Sequence, residues 1–220
     1  MQAVIFDFDG LIIDSEHAIA RGFIEVLAAR GFPLSLEQMA HLFGSTEVDH
    51  LWDDLIADCT GGAVSIDELG PDLVRTIPAM IDALPLLPGV LEVLGAANTA
   101  GLPVALATGQ ESGRLREHLH RHGLTDRFDV IVTAGEVPRG KPAPDIFLEA
   151  ARRLDVMPAH CLVLEDSVHG CEAAIAAGMT VVACPSAVTA HCDFPALAAR
   201  VDSLLDVVHH PLWLAGHTGR

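Results

Sequence analysis

Short apolar runs recur along the chain, each four or five residues long and most of them ending on a polar residue. Residues 3–6 (AVIF) run into Asp7, and 103–107 (PVALA) into Thr108. Residues 130–133 (VIVT), 161–164 (CLVL, ending at Glu165) and 180–183 (TVVA) repeat the pattern. Runs of this length without polar alternation predict buried parallel strands. Between them, the periodicity predicts helices over about 89–100, 111–122, 143–154 and 168–177. Gly101, Gly123 and Gly178 supply closing turns. Strands alternating with helices predict an α/β fold, a doubly wound parallel sheet covered on both faces.

Residues 15–85 break this rhythm. Helical patterning covers 16–30 and, less regularly, 36–59 and 66–83, with no core strand between. Pro85, Pro88 and Gly89 punctuate the end. The pattern predicts a helical insert, 15–85, leaving an α/β core made of 1–14 and 86–220. The stretch from Pro211 to Arg220 is expected to be a loose terminus.

Composition narrows the partners. The 220 residues are 50% hydrophobic and carry a formal charge of −17. Nucleic acid and anionic membrane surfaces both select clustered Lys and Arg, so neither is expected as a partner. A small phosphate anion remains open, because charges beyond about 8 Å are largely screened at physiological salt. No apolar run approaches the roughly 20 residues of a membrane span. The N-terminus lacks the basic region of a signal peptide. Five cysteines without metal-type spacing read as scattered thiols in a reducing cytoplasm. The 13 basic residues are 12 arginines and one lysine, Lys141. Codon bias would leave such a survivor by chance; a position needing a compact ammonium would keep it by chemistry.

Four places bring chemistry to strand or helix ends. Asp7 and Asp9 sit two apart in extended chain, so their carboxylates share a side, with Phe8 opposite. Acids this close repel unless a cation lies between them, and hard oxygen ligands suit a divalent ion. Gly10 allows a tight turn and close approach of backbone N–H groups to an anion. Thr108 and Gly109 (ATGQ) offer a hydroxyl and amides before a helix, or simply cap it. Lys141 emerges from GKPAPDIF, where Pro142 and Pro144 stiffen the helix start. Glu165 and Asp166 end CLVL ahead of Ser167 and Gly170, and capping is an alternative there too. In a doubly wound sheet the strand C-termini meet at one edge, where ligands bind. The set then forms a divalent-cation site beside an anion cradle, the parts that phosphoryl transfer requires.

The order FDFDG, ATG, GKPAPD, VLEDS resembles the four signature motifs of the haloacid dehalogenase-like superfamily, over residues 4 to about 186. The insert and the DSE at 14–16 resemble the helical-cap subfamily of sugar phosphatases, phosphoglycolate phosphatase and β-phosphoglucomutase. The resemblance implies that Asp7 is the nucleophile and Asp9 the general acid and base. It implies Mg2+ on Asp7, the Asp9 backbone carbonyl and Asp166, with Glu165 nearby or through water. Thr108 and Lys141 would hold the phosphoryl group, assisted by amides near Gly10 and Gly109. The substrate would be a small phosphomonoester, handled by a cytoplasmic monomer.

The same resemblance weighs the relatives. Dehalogenases lack the second aspartate, which Asp9 supplies here. A Schiff-base hydrolase needs a cap lysine, and the one lysine lies in the core. Mutases carry a cap histidine and a loop arginine where this chain has Ile19 and Glu47. A silent phosphate binder would lack the nucleophile or a metal acid, and neither is missing. Substrate contacts in the insert are expected from Glu16, Ser45 and Thr46, within a specificity loop at 41–50. That loop has no Lys or Arg, which predicts a sugar or polyol monophosphate over a bisphosphate.

Overall fold

The structure is a computed structural model that describes residues 1–39, 42, 48–110 and 112–215. Six strands form one parallel sheet: β1 (Ala3–Phe6), β2 (Val104–Thr108), β3 (Val130–Thr133), β4 (Cys161–Glu165), β5 (Thr180–Ala183) and β6 (Ala199–Arg200). Their spatial order is β3-β2-β1-β4-β5-β6. All five strands expected from the apolar runs are present. The two-residue β6 was not expected, because nothing in its local sequence marks it; it exists by pairing with β5.

Both faces of the sheet are buried, which is why the strands are continuously apolar. Ala3, Ile5, Ala105, Ala107 and Val163 pack against Ile146, Phe147 and Ala150 of α7 (Asp145–Arg153) and Cys171 and Ala174 of α8 (Val168–Ala176). The alternate positions Val4, Phe6, Leu106 and Leu164 are equally buried on the opposite face. There Phe6 meets Phe128 edge-on at 6.0 Å.

The chain divides into two compact units. The α/β unit comprises residues 1–13, 85–186 and 193–220, and the second comprises 14–84 and 187–192. The second unit is helical, with α1 (Ser15–Ala29), α2 (Leu36–Met39), α3 (Val48–Thr60) and α4 (Ile66–Asp82). Asp14 caps α1, and a Ser65/Glu68 capping box starts α4. Phe23 stacks on Trp52 at 4.2 Å within a core that includes Leu27, Ile56, Leu69 and Leu73. Val188, from a stretch whose sequence pattern assigned it to the α/β unit, is buried in this core. The helical patterning expected over 36–59 corresponds to α2 and α3 among the described residues.

The α/β unit is completed by α5 (Val90–Thr99), α6 (Ser112–Arg121), α9 (Leu204–Val207) and α10 (Pro211–Ala215). The expected loose terminus is in part a short helix, and Trp213 in it is only 5% exposed. Burying one large aromatic ring outweighs the cost of ordering a few residues.

Candidate active site

The sheet order reverses direction at β1, whose neighbours are β2 and β4. In this topology the switch point opens a crevice at the strand C-termini. Asp7 follows β1, Thr108 ends β2 and Glu165 ends β4, so three residues far apart in sequence stand side by side. The ladder continues past the strands: the Asp7 N–H donates to the Leu164 carbonyl at 3.0 Å, and the Cys184 N–H to the Glu165 carbonyl at 2.7 Å. The backbone on which the carboxylates stand is therefore held by the sheet itself.

Asp7, Glu165 and Asp166 are all buried, and one carboxylate oxygen from each lies within 4.8 Å of the others. Lys141 reaches them from the loop before α7. Its ammonium donates to Asp7 Oδ1 and, at 2.6 Å, to Glu165 Oε1, and it lies 5.0 Å from the centre of the Phe147 ring. The lone lysine of the chain is thus committed to this cluster. Glu165 Oε2 is also occupied, accepting from the Asp166 N–H (3.0 Å), the Ser167 N–H (2.9 Å) and the Ser167 hydroxyl (2.9 Å). Ser167 in turn caps α8 by accepting from the Gly170 N–H. Glu165 is therefore built into the α8 start and orients Lys141.

Electrostatics show what the cluster lacks. Burial is the main influence on Asp7 and raises its carboxyl well above the ordinary range. Lys141 pulls it down, while Glu165 and Asp9 push it up again. For Lys141, burial disfavours the ammonium, but Asp7 and Glu165 outweigh it and hold its pKa above the ordinary value. Three buried carboxylates here face one ammonium. A second cation would relieve this, and an all-carboxylate oxygen set suits a hard divalent ion. These residues therefore fit a magnesium-type ion.

Two glycines make room for the acids. A Cβ at Gly10, whose φ is +76°, would lie 2.0 Å from Asp166 Oδ2. A Cβ at Gly170 would lie 1.7 Å from Glu165 Oε1. Gly10 was expected to allow a tight turn with amides near it open to an anion; its own N–H donates to the Ile13 carbonyl at 2.9 Å. The glycine is needed there for the turn and for the approach of Asp166. Among the described residues, no hydrogen bond places Gly109 among the contacts of the cluster.

Asp9 was expected to serve a metal through its backbone carbonyl and to carry protons on its carboxylate. That carboxylate lies outside the cluster of three and accepts from Gln110 Nε2 at 2.7 Å. Thr108 is fully buried, and its hydroxyl accepts from the Gln110 N–H at 3.1 Å. Gln110 carries no motif chemistry and nothing in the sequence singled it out. Glu16 lies in the first turn of α1 in the helical unit. Ser45 and Thr46, with most of the expected specificity loop, lie outside the described residues. A separate cleft of about 600 Å3 on the α/β unit is lined by Leu115, Arg116, Ile131 and Glu136, and by none of the acids.

Comparison with known proteins matches this arrangement to a family. The model of the haloacid dehalogenase-like hydrolases aligns with residues 1–178, which contain all four motifs. The chain belongs to this family. Among the relatives of this haloacid dehalogenase-like hydrolase, hexitol phosphatase B of Escherichia coli K12 is 34% identical over 185 residues, covering 84% of this chain and 83% of its own. A hydrolase of the family from Deinococcus radiodurans, solved with bound phosphate and sodium, superposes with a TM-score of 0.82 at 29% identity, covering 100% and 99% of the two chains. A variant of CbbY from Rhodobacter sphaeroides in complex with xylulose-(1,5)bisphosphate gives 0.70 at 26% identity, covering 99% of each. Among the described residues, no helix is long and apolar enough to cross a membrane.

Proposed function

We propose that this hydrolase cleaves phosphomonoesters of sugars or polyols, with Mg2+, through a phosphorylated Asp7. The observation that carries the reading is the buried cluster of Asp7, Glu165 and Asp166, with Lys141 bonded to two of them. An Asp7 oxygen attacks phosphorus as the bond to the leaving oxygen breaks. Asp9 gives its proton to that oxygen, and the alcohol departs. Lys141 and the Thr108 hydroxyl hold the non-bridging oxygens. Water then attacks the aspartyl phosphate, Asp9 takes its proton, and inorganic phosphate leaves with the Asp7 carboxylate restored. Mg2+ would be held by Asp7, Asp166 and the Asp9 carbonyl, with Glu165 as an outer partner, and would neutralise charge on the transferring group.

The choice of substrate rests on the helical unit, read here as the cap that selects it. Residues 14–84 contain three arginines, and each is paired: Arg21 with Glu25, and Arg30 and Arg75 with Asp72. None is left to hold a second phosphate, which agrees with the acidic composition of residues 41–50. A relative named as a hexitol phosphatase supports the monophosphate reading. The relative bound to a bisphosphate supports the competing one. Five free thiols agree with a cytoplasmic location, and a monomer is proposed, to be checked by sedimentation.

The test is a panel of phosphomonoesters with Mg2+ and with chelator. Hexose and hexitol phosphates should be turned over with higher kcat/KM than pentulose bisphosphates, and chelator should remove the activity. Asp7→Asn should lose about 10³-fold or more in kcat. Undiminished hydrolysis by Asp7→Asn would overturn the nucleophile, and a preference for bisphosphates would overturn the substrate class.

A further inference from the structure

Asp9 has to present one carboxylate to the leaving oxygen and later to a water. That needs a fixed orientation, because a misplacement of about 1 Å can cost a hundredfold in rate. Asp9 leads into the turn after β1. One contact to its carboxylate comes from 101 residues away, where Gln110 Nε2 donates to Asp9 Oδ1 at 2.7 Å.

Gln110 is built to do this. Its N–H donates to the buried Thr108 hydroxyl at 3.1 Å, and its carbonyl accepts from the Ala134 N–H at 3.3 Å. Thr108 and Thr133 are paired in register at the ends of β2 and β3. The backbone of Gln110 is therefore fixed to two strand ends, and its amide reaches Asp9 from a rigid base. The other amide atom, Oε1, is buried and accepts no hydrogen bond among the described residues. Leaving a buried carbonyl oxygen unbonded costs about 1–3 kcal/mol, so packing alone does not favour glutamine here. A second donor beside Asp9, such as a substrate hydroxyl or the hydrolytic water, would satisfy it.

We propose that Gln110 is the positioning residue of Asp9, holding its carboxylate in line for proton transfer through the Nε2–Oδ1 hydrogen bond. This rests on the phosphatase mechanism above. Gln110 is bonded to Asp9 and not to the nucleophile Asp7 in any hydrogen bond among the described residues, so its loss should fall mainly on the steps in which Asp9 carries a proton.

Leaving-group dependence tests this. A hexitol phosphate needs a proton on its departing oxygen, whereas p-nitrophenyl phosphate releases a stable phenolate without one. Gln110→Met keeps the length of the side chain and removes the donor. In the first turnover it should slow the hexitol ester by about ten- to a hundredfold. Release of p-nitrophenolate in the first turnover should change less than about threefold, the scatter of an uncoupled site. In an Asp9→Asn background, Gln110→Met should cause no further loss. Should the Met variant fold poorly by circular dichroism, Gln110→Glu sets a carboxylate against Asp9 and should act in the same direction. Equal losses on both esters, additive losses with Asp9→Asn, or no loss on the hexitol ester would each overturn the assignment. Asp7→Asn with undiminished activity would instead overturn the underlying mechanism, so the two failures are separable.

Discussion

At the scale of single residues, the cluster sets three buried carboxylates against the ammonium of Lys141. Asp7, Glu165 and Asp166 are buried together, and burial raises the Asp7 carboxyl because its ionised form lacks compensation. A cation that binds the native state alone stabilises it by mass action, about 2.7 kcal/mol at a hundredfold excess over Kd. Thermal unfolding at pH 7 should therefore shift upward with Mg2+ in the parent protein. In Asp166→Asn most of that shift should vanish, while the metal-free variant unfolds no earlier than the parent. An unchanged Mg2+ response in the variant would remove Asp166 from the metal set. The acids themselves were legible in the sequence, as DxD after one apolar run and ED after another. Their partners were not: Gly170, Ser167 and Phe147 serve the site by space, capping and ring contact, and none has a motif.

At the scale of elements, α7 shows how a helix that carries no catalytic group is fixed to the sheet that does. Arg153 donates to Glu149 at 2.6 Å, to Glu136 at 2.8 Å and to the Ile131 carbonyl of β3 at 3.2 Å. Arg152 adds two bonds to Glu149. Hydrogen bonds from Arg152 and then Arg153 hold the Glu149 carboxyl down at about 2, against an ordinary value of 4.5. A depressed carboxyl contributes stability that is present above 4.5 and is lost as pH falls towards 2. Glu149→Gln should therefore lower Tm at pH 7 slightly, since the pairs are exposed. The gap to the parent should close between pH 5 and pH 2. A gap that persists at pH 2 would show that the side chain acts through packing. Helix positions were readable from periodicity and turns.

At the scale of the molecule, charge and function pull in opposite directions. The chain carries −17, and its substrate is read as an anion. Screening extends only about 8 Å at 0.15 M salt but about 30 Å at 0.01 M. Diffusional encounter with a phosphate dianion should therefore be hindered at low salt. We expect kcat/KM for a sugar phosphate to fall as ionic strength drops from 0.15 to 0.01 M at constant free Mg2+, with kcat little changed. A rise instead would mean that local positive potential, from Lys141 and the bound cation, dominates the approach.

Some of this protein was settled by local chemistry and so was visible in the chain alone. Continuous apolar runs had to become buried parallel strands. Polar residues ending them had to gather at one edge, and that gathering led to a family that the comparisons support. Other features were decided only when distant segments met. Val188 joins the helical core although it lies between β5 and β6 in sequence, because a buried valine goes where there is apolar surface. Gly10 has its amide spent on its own turn, and its missing side chain makes room for Asp166. Asp9 turns to Gln110, a contact between the ends of two strands that no spacing along the chain encodes. Periodicity reports what each segment must bury; the partner it finds depends on strand order, and strand order is a property of the whole sheet.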